Sequence, residues 1–146
     1  MYSEKAFRIA EKAHAGQKDK AGKDYIVHPA AVAGMLETDE EKAVAYLHDV
    51  VEDTDVTLED LRSFGFNELI VEAVKAITKT EGEDYDDYIE RLSENELAVK
   101  VKLADMKHNS DITRFDEPTE KDIERCRKYE EKRNRLIEKS ENNVSV

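Results

Sequence analysis

The sequence predicts an all-α fold, a single helical bundle of about seven to eight helices over residues 1–146. Apolar residues recur three and four positions apart through most of the chain, which is the period of an amphipathic helix. Residues that cap helix N-termini precede many of these segments. No stretch shows the sustained alternation of apolar and polar residues that marks a β-strand, and no repeat or Pro/Gly/Ser-rich linker divides the chain.

The first half of the chain predicts a series of helices, each bounded by a residue type that begins or ends a helix. They are residues 3–14 before Gly16, residues 30–36 after Pro29, a central helix from the Thr38 and Glu41 capping box to Thr54, and a short helix from Thr57 to Gly65. The polar segment 17–24, with Gly22 as a turn residue, is predicted to be a loop.

The second half continues in the same way, with capping residues before apolar-periodic segments. The predicted helices are Glu68–Ile77 after Asn67, a segment around Tyr85–Leu92, residues 97–109 opened by a Ser93 and Glu96 capping box, and a charged C-terminal helix over about 119–139. The domain core is expected over about residues 3–115, and residues 140–146 are expected to fray.

The composition narrows the function. The formal net charge is −12 and 40% of the residues are charged, which argues against nucleic acid and against an anionic membrane surface. A phosphorylated small molecule stays compatible, because a bound dication and local lysines can outweigh the net charge at short range. The single cysteine, Cys126, and the lack of a signal peptide or a long apolar run lead us to expect a cytoplasmic protein.

The central helix carries the most informative motif, Leu-His-Asp-Val-Val-Glu-Asp-Thr at residues 47–54. Helical spacing places His48 one turn from Glu52, and Asp49 one turn from Asp53. Apolar residues form the opposite stripe of this helix, so these polar groups lie beside a core. Buried polar and charged groups need partners or a metal ion, and this motif is therefore a candidate site.

Two other segments offer residues of the same kind. His28 stands directly before Pro29, where its position would be well fixed, and Asp105 lies on a helix that also places Lys102 and Asn109 along one face. Imidazole and carboxylate groups bind hard and borderline divalent metals, and a hydrolytic metal site keeps an open position for water. A carboxylate, an amide and a lysine on a buried face are a candidate functional site.

Four blocks of sequence, at residues 13–17, 25–29, 47–54 and 101–109, resemble a known family. In order and content they are similar to the HD-domain metal-dependent phosphohydrolases, and among these to the hydrolase domain of the bifunctional alarmone synthetase/hydrolases and their small stand-alone relatives. The resemblance covers about residues 3–115. No counterpart of the synthetase domain follows within the 146 residues, so we expect hydrolysis alone.

The resemblance implies a ligand set, a cofactor and a reaction. It implies one metal, usually Mn²⁺, held by His28, His48, Asp49 and Asp105. It implies an acidic pair beside the metal, Glu52 and Asp53, one of which would hold or deprotonate the attacking water. It implies a substrate contact from Asn109, and the lysines Lys18, Lys20 and Lys102 of this sequence are candidate phosphate partners beside it. The expected reaction removes the 3′-pyrophosphate from guanosine tetra- or pentaphosphate.

The sequence departs from the family where the nucleotide is expected. Asp19 stands where the alarmone hydrolases usually carry an arginine that packs on guanine, and Asp111 stands where they carry another arginine. Arg114 could substitute from further along the chain. The base and the cleaved phosphate therefore stay open, and another nucleotide phosphohydrolase (a nucleotidase or triphosphohydrolase) or a nucleotide-sensing module without turnover are the alternatives.

Several residues also have simpler interpretations. His14 would pack in the core or hydrogen-bond a carboxylate near the site, and His108 would be structural or a charge partner for its helix end. Lys102 could contact phosphate or only balance Asp105. The charged face of the final helix would be solvated, although its sparse apolar stripe leaves a homodimer open.

Overall fold

The computed structural model describes residues 1–144 and contains eight α-helices and one 3₁₀ turn. They are α1 (Tyr2–Ala13), α2 (Val27–Gly34), α3 (Asp39–Asp53), α4 (Leu58–Ser63), α5 (Glu68–Ile77), α6 (Tyr85–Leu92), α7 (Glu96–Asn109), the 3₁₀ turn Ile112–Arg114 and α8 (Glu120–Val144). The described residues contain no β-strand, only an isolated bridge between Lys18 and Asp24. The all-α prediction is confirmed.

Helix α3 lies at the centre and packs against α1, α2, α5 and α7. It begins at the predicted capping box, in which Thr38 accepts a hydrogen bond from the Glu41 N–H at 3.1 Å and Glu41 accepts one from the Thr38 N–H. The Asp39 carboxylate accepts hydrogen bonds from the N–H groups of Tyr2 and Ser3, at 2.9 and 3.0 Å. The first turn of α1, which has no side-chain cap of its own, is thereby joined to the start of α3.

The core is continuous and draws on nearly every helix. Its largest fully buried side chains include Leu47, Leu61, Ile70, Ile77, Leu92, Met106 and Leu136. Burying one such side chain contributes about 1.5–3 kcal/mol. Leu136 belongs to α8, and its complete burial shows that the charged C-terminal helix packs on the bundle. Among residues 1–144, no helix combines the length and apolar character needed to cross a bilayer.

One predicted cap is wrong. Ser93 does not open α7, because it still has helical backbone angles at the end of α6, and its hydroxyl donates to the Glu90 carbonyl. An N-cap residue needs an extended conformation, and Asn95 has one. Its side chain accepts a hydrogen bond from the Ala98 N–H at 2.9 Å, so Asn95 caps α7.

Two helix boundaries also differ from the prediction. Helix α2 begins at Val27, which puts Pro29 at the third position rather than the first. A proline there costs no helical hydrogen bond, because the N–H groups of the first turn have no partner within the helix. Helix α8 continues to Val144 instead of fraying from residue 140, and Lys139 forms an ion pair with Glu90 of α6 near that end. Residues 145–146, also predicted to fray, lie outside the described residues.

Candidate active site

A cleft of about 470 Å³ opens between the loop 17–24, helices α2, α3 and α7, and the N-terminal half of α8. All the residues predicted to form the site line this one cleft: His28, His48, Asp49, Glu52, Asp53, Lys102, Asp105, Asn109, Lys18, Lys20 and Arg114. Helices that are distant in sequence therefore bring the predicted residues together.

The buried end of the cleft holds two imidazoles and two carboxylates in a row. His28 Nε2 lies 2.8 Å from Asp105 Oδ1, which in turn lies 3.9 Å from His48 Nε2. His48 Nε2 lies 3.0 Å from Asp49 Oδ1. All these side chains are buried, with residue exposures between 2% and 9%. Nitrogen and oxygen donors therefore converge in a region with little access to water.

The chemistry of this donor set fits a divalent cation. Ligands bonded to a metal at about 2.1 Å lie about 3 Å from their neighbours in the coordination sphere. Two of the donor separations here, 2.8 and 3.0 Å, are of that size, and the third, 3.9 Å, is longer. Among the described residues, no group of three or more His, Cys, Asp or Glu side chains is arranged so that it could hold a metal ion as it stands. At this end of the cleft the donors form hydrogen bonds with one another, which a cation would replace.

His48 is oriented by its own helix. Its Nδ1 donates to the Ala45 carbonyl at 3.2 Å, so Nε2 is the nitrogen that faces the carboxylates. Burial lowers the pKa of His48, but the carboxylates of Asp49 and Asp105 outweigh burial and raise it to about 9. The imidazole therefore carries a proton on Nε2 near neutral pH, which a metal ion would have to displace.

Asp49 is held by a residue from the loop that precedes α2. The Tyr25 hydroxyl donates to Asp49 Oδ2 at 2.7 Å, a charge-assisted hydrogen bond. Burial raises the pKa of Asp49, but the interaction with His48 outweighs it, and the value falls to about 2. Burial, together with the nearby Asp49 carboxylate, raises the pKa of the Tyr25 hydroxyl well above its usual range. Tyr25 therefore stays protonated and leaves Oδ1 of Asp49 for other partners.

Asp105 is paired with Lys102 one turn earlier on α7. Lys102 Nζ lies 3.3 Å from Asp105 Oδ2, and both side chains are largely buried. Burial opposes ionisation of Asp105, but Lys102 and the two histidines keep its pKa well below the usual range. The Lys102 ammonium therefore forms an ion pair with Asp105. Of the two roles that the sequence left open for Lys102, this is the balancing of Asp105.

Glu52 and Asp53 lie one turn further along α3, at the edge of the donor group. Burial raises the pKa of both carboxyl groups, and the negative charge of Asp49 raises each of them further. A carboxylate with a raised pKa is a better proton acceptor at neutral pH than an ordinary surface carboxylate. A role of Glu52 or Asp53 in proton transfer stays a prediction.

Arg114 and Asp19 meet across the cleft. Their guanidinium and carboxylate groups are 3.2 Å apart and are 14% and 6% exposed. Asp19 also accepts hydrogen bonds from the N–H groups of Ala21 and Lys23, and Arg114 donates to the His108 carbonyl. Arg114 therefore reaches the place expected from the sequence, but its charge is already compensated there.

The remaining loop residues are more exposed. Lys18 is ion-paired with Asp24, both side chains being mostly exposed, and Lys20 stands at the cleft mouth. Asp111 caps the 3₁₀ turn by accepting a hydrogen bond from the Thr113 N–H at 2.9 Å. Asp111 thus has a local structural role in the loop.

His14 and His108 each agree with one of the simpler interpretations that the sequence offered. His14 is buried, but its Nδ1 pairs with Gln17, and its Nε2 has no hydrogen-bond partner among the described residues; the predicted bond to a carboxylate is absent there. The His108 ring stacks on His28 at 4.9 Å, with the two Nδ1 atoms 2.6 Å apart. His108 therefore supports a candidate metal ligand from behind, because His28 Nε2 faces Asp105.

A family model described as an HD domain matches residues 6–128 of the chain. The chain belongs to the HD-domain family. The matched range runs from α1 into α8 and contains every residue that lines the cleft except Tyr129.

Two curated relatives of this HD domain are much longer proteins. It is 38% identical over 120 residues to a probable guanosine-3′,5′-bis(diphosphate) 3′-pyrophosphohydrolase of Synechocystis, covering 72% of this chain and 16% of that protein. It is 34% identical over 125 residues to a GTP pyrophosphokinase of Streptomyces coelicolor, covering 77% and 15%. The chain thus spans about a sixth of the length of these curated relatives.

A solved structure shares the fold. It is described as a metazoan ortholog of SpoT that hydrolyzes ppGpp, and it superposes with a TM-score of 0.73 at 24% identity. The superposition covers 95% of this HD domain and 85% of the other chain. The likeness extends over α8 as well as the core, so the C-terminal helix is part of the shared architecture.

Sequence reasoning assigned no site role to several residues that line the cleft of this HD domain: Tyr25, Phe115, Arg125 and Tyr129. Tyr25 lies in the block 25–29, three residues before His28, and a phenol so close to a candidate ligand is a signal for a hydrogen-bond partner. Arg125 and Tyr129 are one helical turn apart on α8, whose charged face was predicted to be solvated. That prediction is wrong for Arg125, because α8 forms a wall of the cleft, whereas Tyr129 belongs to the apolar stripe of the same helix.

Proposed function

We propose that this HD domain is a Mn²⁺-dependent phosphohydrolase that removes the 3′-pyrophosphate from guanosine-3′,5′-bis(diphosphate). The observation that carries the proposal is the row of His28, Asp105, His48 and Asp49 donor atoms, 2.8 to 3.9 Å apart, at the buried end of the cleft. Such a set of two imidazoles and two carboxylates suits Mn²⁺, Fe²⁺ and Zn²⁺ alike, and Mn²⁺ is proposed from the resemblance to the alarmone hydrolases.

The chain's own residues would divide the work as follows. His28, His48, Asp49 and Asp105 would hold the metal, which when bound polarises phosphoryl oxygens and lowers the pKa of water. Tyr25, Lys102 and His108 keep these side chains in place through the contacts described above. Glu52 or Asp53 accepts the proton of the attacking water, because both carboxyl groups have a raised pKa beside the donors.

The proposed substrate rests on the relatives. A relative at 38% identity is named a guanosine-3′,5′-bis(diphosphate) 3′-pyrophosphohydrolase, and another at 34% identity is named a GTP pyrophosphokinase. The donor set favours hydrolysis between these two, since it offers metal ligands and a carboxylate base for water. Asn109, Lys18, Lys20 and Arg114 stay predicted substrate contacts, and a cytoplasmic location and a homodimer through α8 stay predictions.

A second candidate is hydrolysis of another phosphorylated nucleotide by the same centre. The observation that favours it is the Asp19–Arg114 ion pair, which removes a free cation from the place where the alarmone hydrolases are expected to bind guanine. This difference leaves the donor row intact, so it bears on the choice of nucleotide and not on the chemistry.

Pyrophosphate and phosphate release from a panel of nucleotides in the presence of Mn²⁺ would test both candidates. The panel contains guanosine tetraphosphate, nucleoside mono- and triphosphates and 3′-phosphorylated dinucleotides, with Asp49→Ala and Glu52→Ala as controls. Pyrophosphate from guanosine tetraphosphate that disappears in both variants is the expected result. Release from another nucleotide alone would move the substrate to the second candidate. Bound Mn²⁺ without any turnover would refute hydrolysis and favour a nucleotide sensor.

A further inference from the structure

One side chain that lines the cleft, Phe115, is aromatic and has no polar group of its own. Phe115 lines the cleft and is half-buried. It directly follows the 3₁₀ turn, and its N–H donates to the Ile112 carbonyl at 3.2 Å. Arg114, the preceding residue, is fixed by Asp19 and by the His108 carbonyl. These contacts fix the backbone that carries the half-buried Phe115 ring.

Two guanidinium groups flank this ring. Their central carbons lie 6.0 Å (Arg114) and 5.8 Å (Arg125) from the ring centre of Phe115. Each group is already ion-paired, Arg114 with Asp19 and Arg125 with Asp122. Because these charges are compensated, the wall offers flat faces rather than a net positive charge. Flat aromatic and guanidinium faces stack on planar rings.

The part of the cleft around the donor atoms is instead strongly negative. The carboxylates of Asp49, Glu52, Asp53 and Asp105 gather there, and a dication bound among them would attract the phosphate groups of a ligand. A nucleotide has one strongly anionic part and one flat, nearly neutral part. The two parts of the cleft match these two parts of a nucleotide.

We propose that Phe115 and Arg125 form a stacking platform for the nucleobase, an inference that rests on the proposed function. The platform takes the planar ring of a nucleotide while the phosphates lie at the donor row. Arg114 connects the two parts of the cleft. It lies beside Phe115 and donates to the carbonyl of His108, whose ring stacks on the donor residue His28. The base is thus held on residues of the α7–α8 connection and of α8, and not on the loop that carries Asp19.

Binding of guanosine 5′-diphosphate and of inorganic pyrophosphate to the Mn²⁺-loaded chain, measured by calorimetry, tests this inference. Phe115→Leu keeps an apolar side chain but removes the aromatic face, and it should weaken diphosphate nucleotide binding about fivefold or more. Pyrophosphate has no base, so its affinity should stay within about twofold, which also shows that the variant is folded. Phe64→Leu, at an exposed phenylalanine outside the cleft, is the matched control and should change neither affinity.

Arg125→Lys provides a second arm. Lysine keeps the positive charge and can still pair with Asp122, but it lacks the planar guanidinium face. Nucleotide binding should weaken by about threefold, again without an effect on pyrophosphate. Unchanged nucleotide affinity in Phe115→Leu would overturn the proposal, and so would an equal loss for both ligands, since Phe115 would then act on the phosphate end.

These outcomes are separable from those of the proposed function. A base-dependent loss in Phe115→Leu, together with no hydrolysis of guanosine tetraphosphate, would keep the platform and refute the proposed reaction. Hydrolysis of guanosine tetraphosphate with the same KM in wild type and Phe115→Leu would keep the reaction and refute the platform.

Discussion

Removing the Tyr25 hydroxyl should weaken the binding of Mn²⁺ to the candidate centre. In Tyr25→Phe the ring stays in place, and only the hydrogen bond to Asp49 Oδ2, 2.7 Å long, is lost. Asp49 then keeps its charge but is no longer held from behind. A carboxylate that has to be ordered at the moment of metal binding is a poorer ligand than one already fixed.

The size of the effect follows from the type of bond. A hydrogen bond to a charged group contributes about 1.5–3 kcal/mol, which corresponds to about 10- to 100-fold in a binding constant. Loss of a residue that orients a metal ligand typically costs about 10- to 100-fold in metal affinity. We therefore expect the Kd for Mn²⁺ to rise by about tenfold or more.

The assay is titration of the metal-free protein with Mn²⁺, with the free ion measured by electron paramagnetic resonance. Tyr46→Phe is the matched control, because it removes the same hydroxyl from a tyrosine that packs against Phe7 outside the cleft. Urea unfolding of both variants shows that they are folded. A Kd for Tyr25→Phe within about twofold of wild type, or an equal loss in Tyr46→Phe, would refute the reasoning.

Three further predictions concern stability, each measured by urea unfolding. Asp19→Asn and Arg114→Met should each destabilise the fold, and the double variant should lose about 1 kcal/mol less than the sum of the two; additive losses would show that the ion pair carries no coupling. Leu136→Ala should cost about 2–5 kcal/mol because Leu136 is fully buried, whereas Leu69→Ala, at a residue 59% exposed, should stay within about 0.5 kcal/mol; equal losses would contradict the packing of α8. The ion pair and hydrogen bonds of Glu83 lower its pKa from 4.5 to about 2, so its stabilisation is complete above pH 4.5 and is lost as the pH falls towards 2. The deficit of Glu83→Gln relative to wild type should shrink over that range, and a deficit independent of pH would contradict this assignment.

Helix starts were predictable where both partners of a cap are close in sequence. Thr38 and Thr57 each exchange hydrogen bonds with the residue three positions later, so the signal lies within one turn of chain. Ser93 shows the limit of such signals. Ser93 has the same spacing to Glu96, but its backbone is still helical at the end of α6. Asn95, two residues later, caps α7 instead. Competition between two helix ends is decided by where the helices pack.

The residues of the candidate site were predictable from the sequence, but the contacts among them were not. His28, His48, Asp49 and Asp105 could be selected among the many histidines and carboxylates of the chain because the sequence blocks around them resemble those of a metal-dependent family, and the cleft does contain them all. The contact between His28 and His108 joins residues 80 positions apart, and no local sequence pattern predicts it. The same holds for Arg125, which looked like one more charge on a solvated helix.

The sequence alone determined the helical class, most helix boundaries and the chemical identity of the candidate site, because periodicity, caps and residue types act within a few residues of the chain. Only the tertiary structure decided which charged side chains form ion pairs with one another. Asp19 and Arg114 are 95 positions apart, and their contact joins one departure from the family pattern and the arginine expected to substitute for a missing cation in one compensated ion pair. Such pairing depends on how the helices pack, since a charge is neutralised by whatever group the folded chain places beside it.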